Sequence, residues 1–164
     1  MSNESILATF VDPAAGTRVE AATGSGFAIT FDSSEAGDAR GGPSPAESVL
    51  AVLAGCTAMD VASILRKKRQ MVRSYQIAVV GERTEEHPRV YTRIVVEHRI
   101  VGEVEPEAVR RSVELSATKY CPVSAMLSRA VEIEHRYRLW QGAPEGDGIA
   151  ARVAVTAPGG TSLG

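Results

Sequence analysis

The sequence lacks several features that mark whole classes of function. Aromatic residues make up only 5% of its 164 residues, which disfavours a stacking platform for single-stranded nucleic acid. The formal net charge is -2 at pH 7, so the basic surplus that neutralises phosphates is missing, and we expect no nucleic-acid or membrane partner. No uninterrupted apolar run reaches the roughly 18 residues of a membrane span, and the first residues do not read as a leader. We therefore expect one cytoplasmic domain.

Groups that could bind a metal or cofactor are also scarce. The chain has two cysteines, Cys56 and Cys121, and three histidines. No pair of these residues has finger-like spacing, and no glycine-rich phosphate loop precedes a helix, so we predict neither a metal site nor a cofactor. His87 stands before a proline in a turn, whereas His98 and His135 lie on predicted strands among charged neighbours. We interpret all three as solvated histidines.

Strand and helix patterns follow each other in an order that is typical of the α+β class. A capping box, Ser44–Pro45–Ala46–Glu47, predicts the start of a long helix. Its first turns are apolar nearly all round and hence buried, and it becomes amphipathic later. We divide the chain into a domain, residues 1–140, and a flexible tail rich in Gly, Ala and Pro, residues 141–164. As an alternative, residues 149–157 of this tail could form an extra strand. The patterns predict strands near 6–11, 17–22, 27–31, 74–80, 90–101 and 133–140, and helices near 45–70, 105–120 and 122–131.

The two cysteines have different local settings. Cys56 lies inside the long helix beside Gly55, whose cost of about 1 kcal/mol in a helix interior suggests close approach by another element. Cys121 precedes Pro122 and should be the N-cap of a helix, where backbone N–H groups favour a thiolate. Cys121 is therefore predicted to be the more acidic thiol. The residues alone leave open whether the cysteines meet, and whether they are reactive or inert core residues.

Two blocks of sequence resemble the signatures of the OsmC/Ohr family. The first runs from Gly42 to Val61 and places Cys56 nine residues after Glu47. The second runs from Leu115 to Val123 and contains Cys121. The likeness spans roughly residues 27–137, and the segment Asp60–Leu65 looks closest to the YhfA-like branch of that family.

The resemblance implies a fold, an assembly and an activity. The expected fold is α+β, with two central helices packed against antiparallel sheets in an intertwined homodimer. The expected activity is a thiol-dependent peroxidase of oxidative stress defence, an oxidoreductase that reduces organic hydroperoxides or hydrogen peroxide. In that chemistry Cys56 attacks the peroxide, Cys121 resolves the sulfenic acid as a disulfide, and an external dithiol restores both thiols.

The resemblance also implies an arginine and a glutamate that activate the reactive cysteine. Glu47 is the candidate glutamate, and its role in the capping box is a sufficient structural alternative. Arg40, in the loop before the long helix, is the first candidate arginine, and Arg18 is the second. The alternative to a peroxidase is a redox sensor or small-ligand binding protein of the same fold, and a third reading keeps both thiols reduced and structural.

Overall fold

The computed structural model describes residues 4–12, 14, 16–33, 40–144 and 146–155. Tertiary contacts divide the chain into two units, residues 1–49 and residues 50–164. The elements, in chain order, are β1 (Ile6–Phe10), β2 (Val19–Thr23), β3 (Ala28–Phe31), α1 (Pro45–Lys67), β4 (Met71–Arg83), β5 (Tyr91–Glu103), α2 (Pro106–Leu115), a π-helical turn (Ser116–Tyr120), α3 (Pro122–Leu127), β6 (Glu132–Trp140) and β7 (Ile149–Val153).

The N-terminal unit contains the predicted meander, an antiparallel three-stranded sheet in the order β1-β2-β3. It ends with the first turn of α1, where the predicted capping box forms. The Ser44 backbone N–H and hydroxyl both donate to Glu47 Oε2 at 2.8 Å, and the Glu47 N–H donates to Ser44 Oγ at 3.2 Å. These reciprocal bonds satisfy backbone donors that the first helical turn leaves without partners.

The second unit is built on a four-stranded sheet in the order β4-β5-β6-β7. The predicted hairpin is β4 paired antiparallel to β5. One pair differs from the antiparallel expectation, because β6 runs parallel to β5. A parallel return needs a long crossover, and α2, the π-helical turn and α3 supply it. Residues 149–153, inside the range expected to be mainly tail, form β7, whose Val153 is buried in the core. Residues 156–164 lie outside the described part of the chain.

Helices α1 and α2 contribute to the core of the second unit. Val61 and Leu65 of α1 pack in one cluster with residues of α2 and of the sheet, and Leu53 belongs to a second cluster that includes Cys121. The buried side of α1 is a single stripe of four residues at i, i+4 spacing: Leu53, Thr57, Val61 and Leu65.

The prediction that the first turns of α1 are buried nearly all round is wrong for the single chain. Val52 and Met59 are exposed, and a Cβ placed on Gly55 would meet nothing within 4 Å. The close approach expected at Gly55 is therefore absent among the described residues. By length and composition alone, α1 is also the one described helix that could cross a membrane.

Candidate functional site

The fold brings the two cysteines together. Cys56 lies on α1 and Cys121 directly precedes α3, yet their Sγ atoms and a carboxylate oxygen of Asp60 all lie within 4.8 Å of one another. Both cysteines are free thiols, Cys56 half-buried and Cys121 buried. A disulfide requires the sulfurs to approach to about 2.0 Å. Side chains already this close are well placed for that reaction.

Cys121 is held by the backbone on both sides. As predicted, it is the N-cap of α3, and the Ser124 N–H donates to its Sγ at 3.3 Å. Its own N–H donates to the carbonyl of Ser116 at 2.9 Å, which closes the π-helical turn. Single π-helical turns occur often at functional sites because they displace one residue from the regular helical path. This turn presents Cys121 to α1.

The prediction of an unusually acidic thiol at Cys121 is wrong. Burial raises the pKa of Cys121, a hydrogen bond with Cys56 raises it further, and the bond from the Ser124 N–H lowers it without reversing the shift. The charges of Cys56 and Asp60 also act to raise this pKa. Helix α3 has only six residues, so the helix dipole that was expected to favour a thiolate at its N-terminus is weak. Burial among apolar side chains outweighs it.

Asp60 is a member of this site that the sequence analysis did not identify. Its Oδ2 accepts a hydrogen bond from Ser116 Oγ at 3.0 Å, and Ser116 Oγ also lies 3.0 Å from Thr57 Oγ1. A hydroxyl carries one proton, so Ser116 donates to Asp60 and Thr57 donates to Ser116. The i, i+4 spacing of Cys56 and Asp60 on one helix could have revealed their proximity. We predicted no metal site, but these three side chains form a donor set that could hold one.

The candidate activating residues lie in the N-terminal unit. Arg40 forms an ion pair with Glu47 at 3.7 Å between Nη1 and Oε2. Hydrogen bonds from Ser44, together with the charge of Arg40, lower the pKa of the Glu47 carboxyl. Arg18 lies 3.5 Å from a carboxylate oxygen of the buried Asp32. Each candidate arginine thus has a carboxylate partner within its own unit.

The prediction of solvated strand histidines is wrong for two of the three. His98 and His135 are almost completely buried, and their rings stack at a centroid distance of 6.1 Å. The Tyr75 hydroxyl lies 2.6 Å from His98 Nδ1. Among the described residues, His98 Nε2 and His135 Nδ1 have no hydrogen-bond partner. Burial lowers the pKa of His98 to about 3, with a smaller effect of His135, and lowers that of His135 to about 4.

The mixed sheet with its helical crossover makes this an α+β protein. Its candidate site is a pair of free thiols beside one carboxylate. The family model described as OsmC-like protein matches residues 36–136, which is more than half of the chain. The chain belongs to the OsmC-like family. It is 43% identical to Protein YhfA of Escherichia coli K12 over 116 residues, which cover 70% of this chain and 84% of that protein.

Solved structures agree with this assignment. A hypothetical protein from Aquifex aeolicus is 29% identical, with a TM-score of 0.76 over 87% of this chain and all of that one. An organic hydroperoxide resistance protein OsmC from Legionella pneumophila is 13% identical, with a TM-score of 0.56 over 85% of this chain and 97% of that one. The second likeness establishes a shared fold.

Proposed function

We propose that this chain is a thiol-dependent peroxidase that reduces organic hydroperoxides or hydrogen peroxide in bacterial oxidative stress defence, in the cytoplasm. The observation that carries the proposal is the meeting of two free thiols, Cys56 and Cys121, whose sulfurs lie within 4.8 Å. Membership of the OsmC-like family supports it. So does the shared fold with a protein named for organic hydroperoxide resistance.

The proposed cycle has three balanced steps. The Cys56 thiolate attacks the outer oxygen of ROOH, the O–O bond breaks, and ROH leaves with one added proton. The Cys121 thiol then attacks the resulting sulfenic acid, and a disulfide and water form. An external dithiol reduces the disulfide and is itself oxidised to a disulfide. Burial favours the protonated form of Cys121, which is compatible with a thiol that acts only in the second step.

From membership of the family, we propose Arg40 and Glu47 as the residues that activate Cys56. Arg18 is the weaker candidate because its partner Asp32 is only 4% exposed and holds two further donors, the Thr17 hydroxyl and the Gly41 N–H. Moving Arg18 would leave a buried carboxylate less well satisfied.

A purified-protein assay tests the activity. Reduced protein should consume cumene hydroperoxide or hydrogen peroxide over many turnovers when an excess of a dithiol is present. The Arg40→Ala variant should lose about 10-fold or more of the rate, the loss expected when a residue that activates the nucleophilic cysteine is removed. The Arg89→Ala variant, at an exposed arginine in the loop between β4 and β5, is the matched control for loss of a loop arginine. Peroxide consumption no faster than that by the dithiol alone would refute the proposal.

A redox sensor is the second candidate, and one observation favours it. Among the described residues, the groups that shift the pKa of the Cys121 thiol are Cys56, Ser124 and Asp60, none of them a cation, and Asp60 acts against a thiolate. Such a site would oxidise once and be reduced slowly. The same assay separates the two functions, because a sensor would consume about one equivalent of peroxide per chain and then stop despite excess dithiol.

We also propose that two copies of the chain pair through α1. Opposite its buried stripe, α1 carries four exposed small or apolar residues at 3-4-3 spacing: Val52, Gly55, Met59 and Ala62. That spacing places them on one helix face, the arrangement that packs against another helix. Cys56 lies beside this face, so the thiol site would border the dimer interface.

A charge on this face should separate the two copies. Met59 is 76% exposed, so Met59→Arg should be tolerated by the single chain, but in a dimer it would bury an unpaired charge. We expect the variant to elute as a monomer in size-exclusion chromatography with light scattering, whereas the wild type elutes as a dimer. Met71→Arg, at an exposed methionine of β4, is the matched control. A Met59→Arg variant that stays dimeric would exclude this interface.

A further inference from the structure

We propose that the reduced Cys56 and Cys121 thiols, together with the Asp60 carboxylate, bind one thiophilic divalent cation of the Zn²⁺ type. Two sulfur atoms and one carboxylate oxygen lie within 4.8 Å of one another. Cys thiolates and Asp carboxylates are both usual ligands of zinc, and three protein ligands with a fourth position for water form the usual open site.

The distances suit a tetrahedral ion. With Zn–S near 2.3 Å and Zn–O near 2.0 Å, ligand atoms around such an ion lie about 3.5 Å apart. Because the three ligand atoms all lie within 4.8 Å of one another, the contraction required is at most about 1.3 Å, which side-chain rotation can supply. Cys56 and Asp60 are at i and i+4 of α1, the spacing by which one helix offers two ligands to a metal.

The surrounding hydrogen bonds orient two of the three ligands. Ser116 donates to Asp60 Oδ2 at 3.0 Å, which fixes this oxygen and leaves lone pairs for an ion. The Ser124 N–H donates to Cys121 Sγ at 3.3 Å, a bond that a metal-bound thiolate retains. Outer partners of this kind hold first ligands in place, and their loss commonly costs 10- to 100-fold in metal affinity.

Asp60 is the residue that peroxide chemistry alone does not explain. A carboxylate beside a nucleophilic thiol opposes the thiolate that the reaction needs. A divalent cation gives that carboxylate a stabilising role, because two thiolates and one carboxylate together carry three negative charges. Binding would release the two thiol protons to solvent and leave a site of net charge -1.

Metal binding and the disulfide exclude each other, since each uses both sulfur atoms. Oxidation by peroxide would join the sulfurs and release the ion. A bound ion would in turn withdraw charge from the Cys56 sulfur and so slow its attack on peroxide. This regulatory consequence rests on the proposed peroxidase function, whereas metal binding itself does not.

The test measures binding in the absence of peroxide. Full-length protein, reduced under anaerobic conditions and treated with a chelator, is dialysed against Zn²⁺, and bound zinc is counted by elemental analysis. We expect one zinc per chain in the reduced protein and none in the disulfide form, which retains every side chain. With Co²⁺ as the probe, thiolate-to-cobalt charge-transfer absorption should appear only in the reduced protein. Asp60→Asn should weaken binding at least 10-fold, whereas the exposed Asp147→Asn should leave it unchanged.

Three results would overturn the proposal: no zinc on the reduced wild type, equal zinc on the reduced and disulfide forms, or unchanged affinity in Asp60→Asn. Circular dichroism of each variant establishes that it is folded. Peroxidase activity is measured separately, with chelator present throughout. A chain that binds zinc without turnover, or turns over without binding zinc, therefore tells the two proposals apart.

Discussion

Replacement of Cys56 by serine is expected to reduce steady-state peroxide consumption by about three orders of magnitude or more, since a serine hydroxyl cannot take the peroxide oxygen. Cys121 cannot substitute for it, because burial among Leu53, Ile94, Val96 and Val131 raises its pKa and keeps it protonated. The measurement is the initial rate of hydroperoxide loss with excess dithiol. Because Cys56 is half-buried, serine should change the stability of the chain little.

Replacement of Cys121 should have a different signature. The first step needs only Cys56, so Cys121→Ser should still consume one equivalent of peroxide in a rapid phase and then accumulate the Cys56 sulfenic acid. A dimedone adduct on the peptide that contains Cys56 would report this species. In the wild type the adduct should be scarce, because the two sulfurs lie within 4.8 Å and the disulfide forms first. Cys121→Ala provides a second variant in case serine is poorly tolerated in the core.

The contrast between the two variants is the decisive readout. If Cys121→Ser lost the rapid phase while Cys56→Ser retained it, the proposed roles would be exchanged. If both variants turned over at the wild-type rate, the cysteine cycle would be abandoned. Circular dichroism spectra that match the wild type rule out unfolding as the cause of a lost rate.

Local sequence signals were sufficient for most of the fold. The Ser44–Glu47 capping box places the start of α1, and Pro122 at the first helical position makes Cys121 an N-cap, as the structure confirms. Alternating apolar residues gave β4, β5 and β6. The parallel pairing of β5 with β6 is a long-range property, and no turn residue encodes it. The fold expected from the family likeness did not include it either, because antiparallel sheets were expected.

The errors at the site have specific physical causes. Cys121 is less acidic than its N-cap position suggests, because its burial depends on strands far away in the sequence. Asp60 was missed because a lone carboxylate in an apolar helix carries no motif. Its proximity to Cys56 is local, but its bond to Ser116 crosses 56 residues of chain. Chain separation hides a contact of that kind.

The histidine error could have been avoided with the sequence alone. Side chains of a strand alternate between its two faces. His98 stands between Glu97 and Arg99, so it shares a face with Val96 and Ile100 and not with its charged neighbours. The same rule places His135 with Tyr137 and Leu139, all buried in the structure. Charged residues directly before and after a strand residue lie on the other face of the sheet, so they do not indicate that the residue itself is exposed.

The second large effect expected is a steep loss of stability when the pH falls from 6.5 to 4.5. The folded-state pKa is about 3 for His98 and about 4 for His135, whereas the pKa of an unperturbed histidine is about 6.5. In that window the unfolded chain binds more protons than the folded chain, so the free energy of unfolding falls as the pH falls. Each histidine costs about 1.4 kcal/mol per pH unit. The two together should remove on the order of 4 kcal/mol, a large share of the stability of a typical domain.

Urea unfolding at pH 7, 5.5 and 4.5 measures this effect. Glu47, Glu107, Glu114 and Glu134 have lowered pKa values, and their stabilisation is lost mainly below the unfolded value near 4.5. The loss of stability between pH 6.5 and 5.5 therefore reports on the histidines. His135→Phe should remove about half of the pH dependence, because phenylalanine occupies a similar shape and takes up no proton. His87→Gln, at an exposed position, is the matched control and should retain the full wild-type slope. A wild-type stability that stays flat from pH 6.5 to 4.5 would mean that His98 and His135 take up protons inside the folded protein as readily as in the unfolded chain, and the buried stack would then have to open to water.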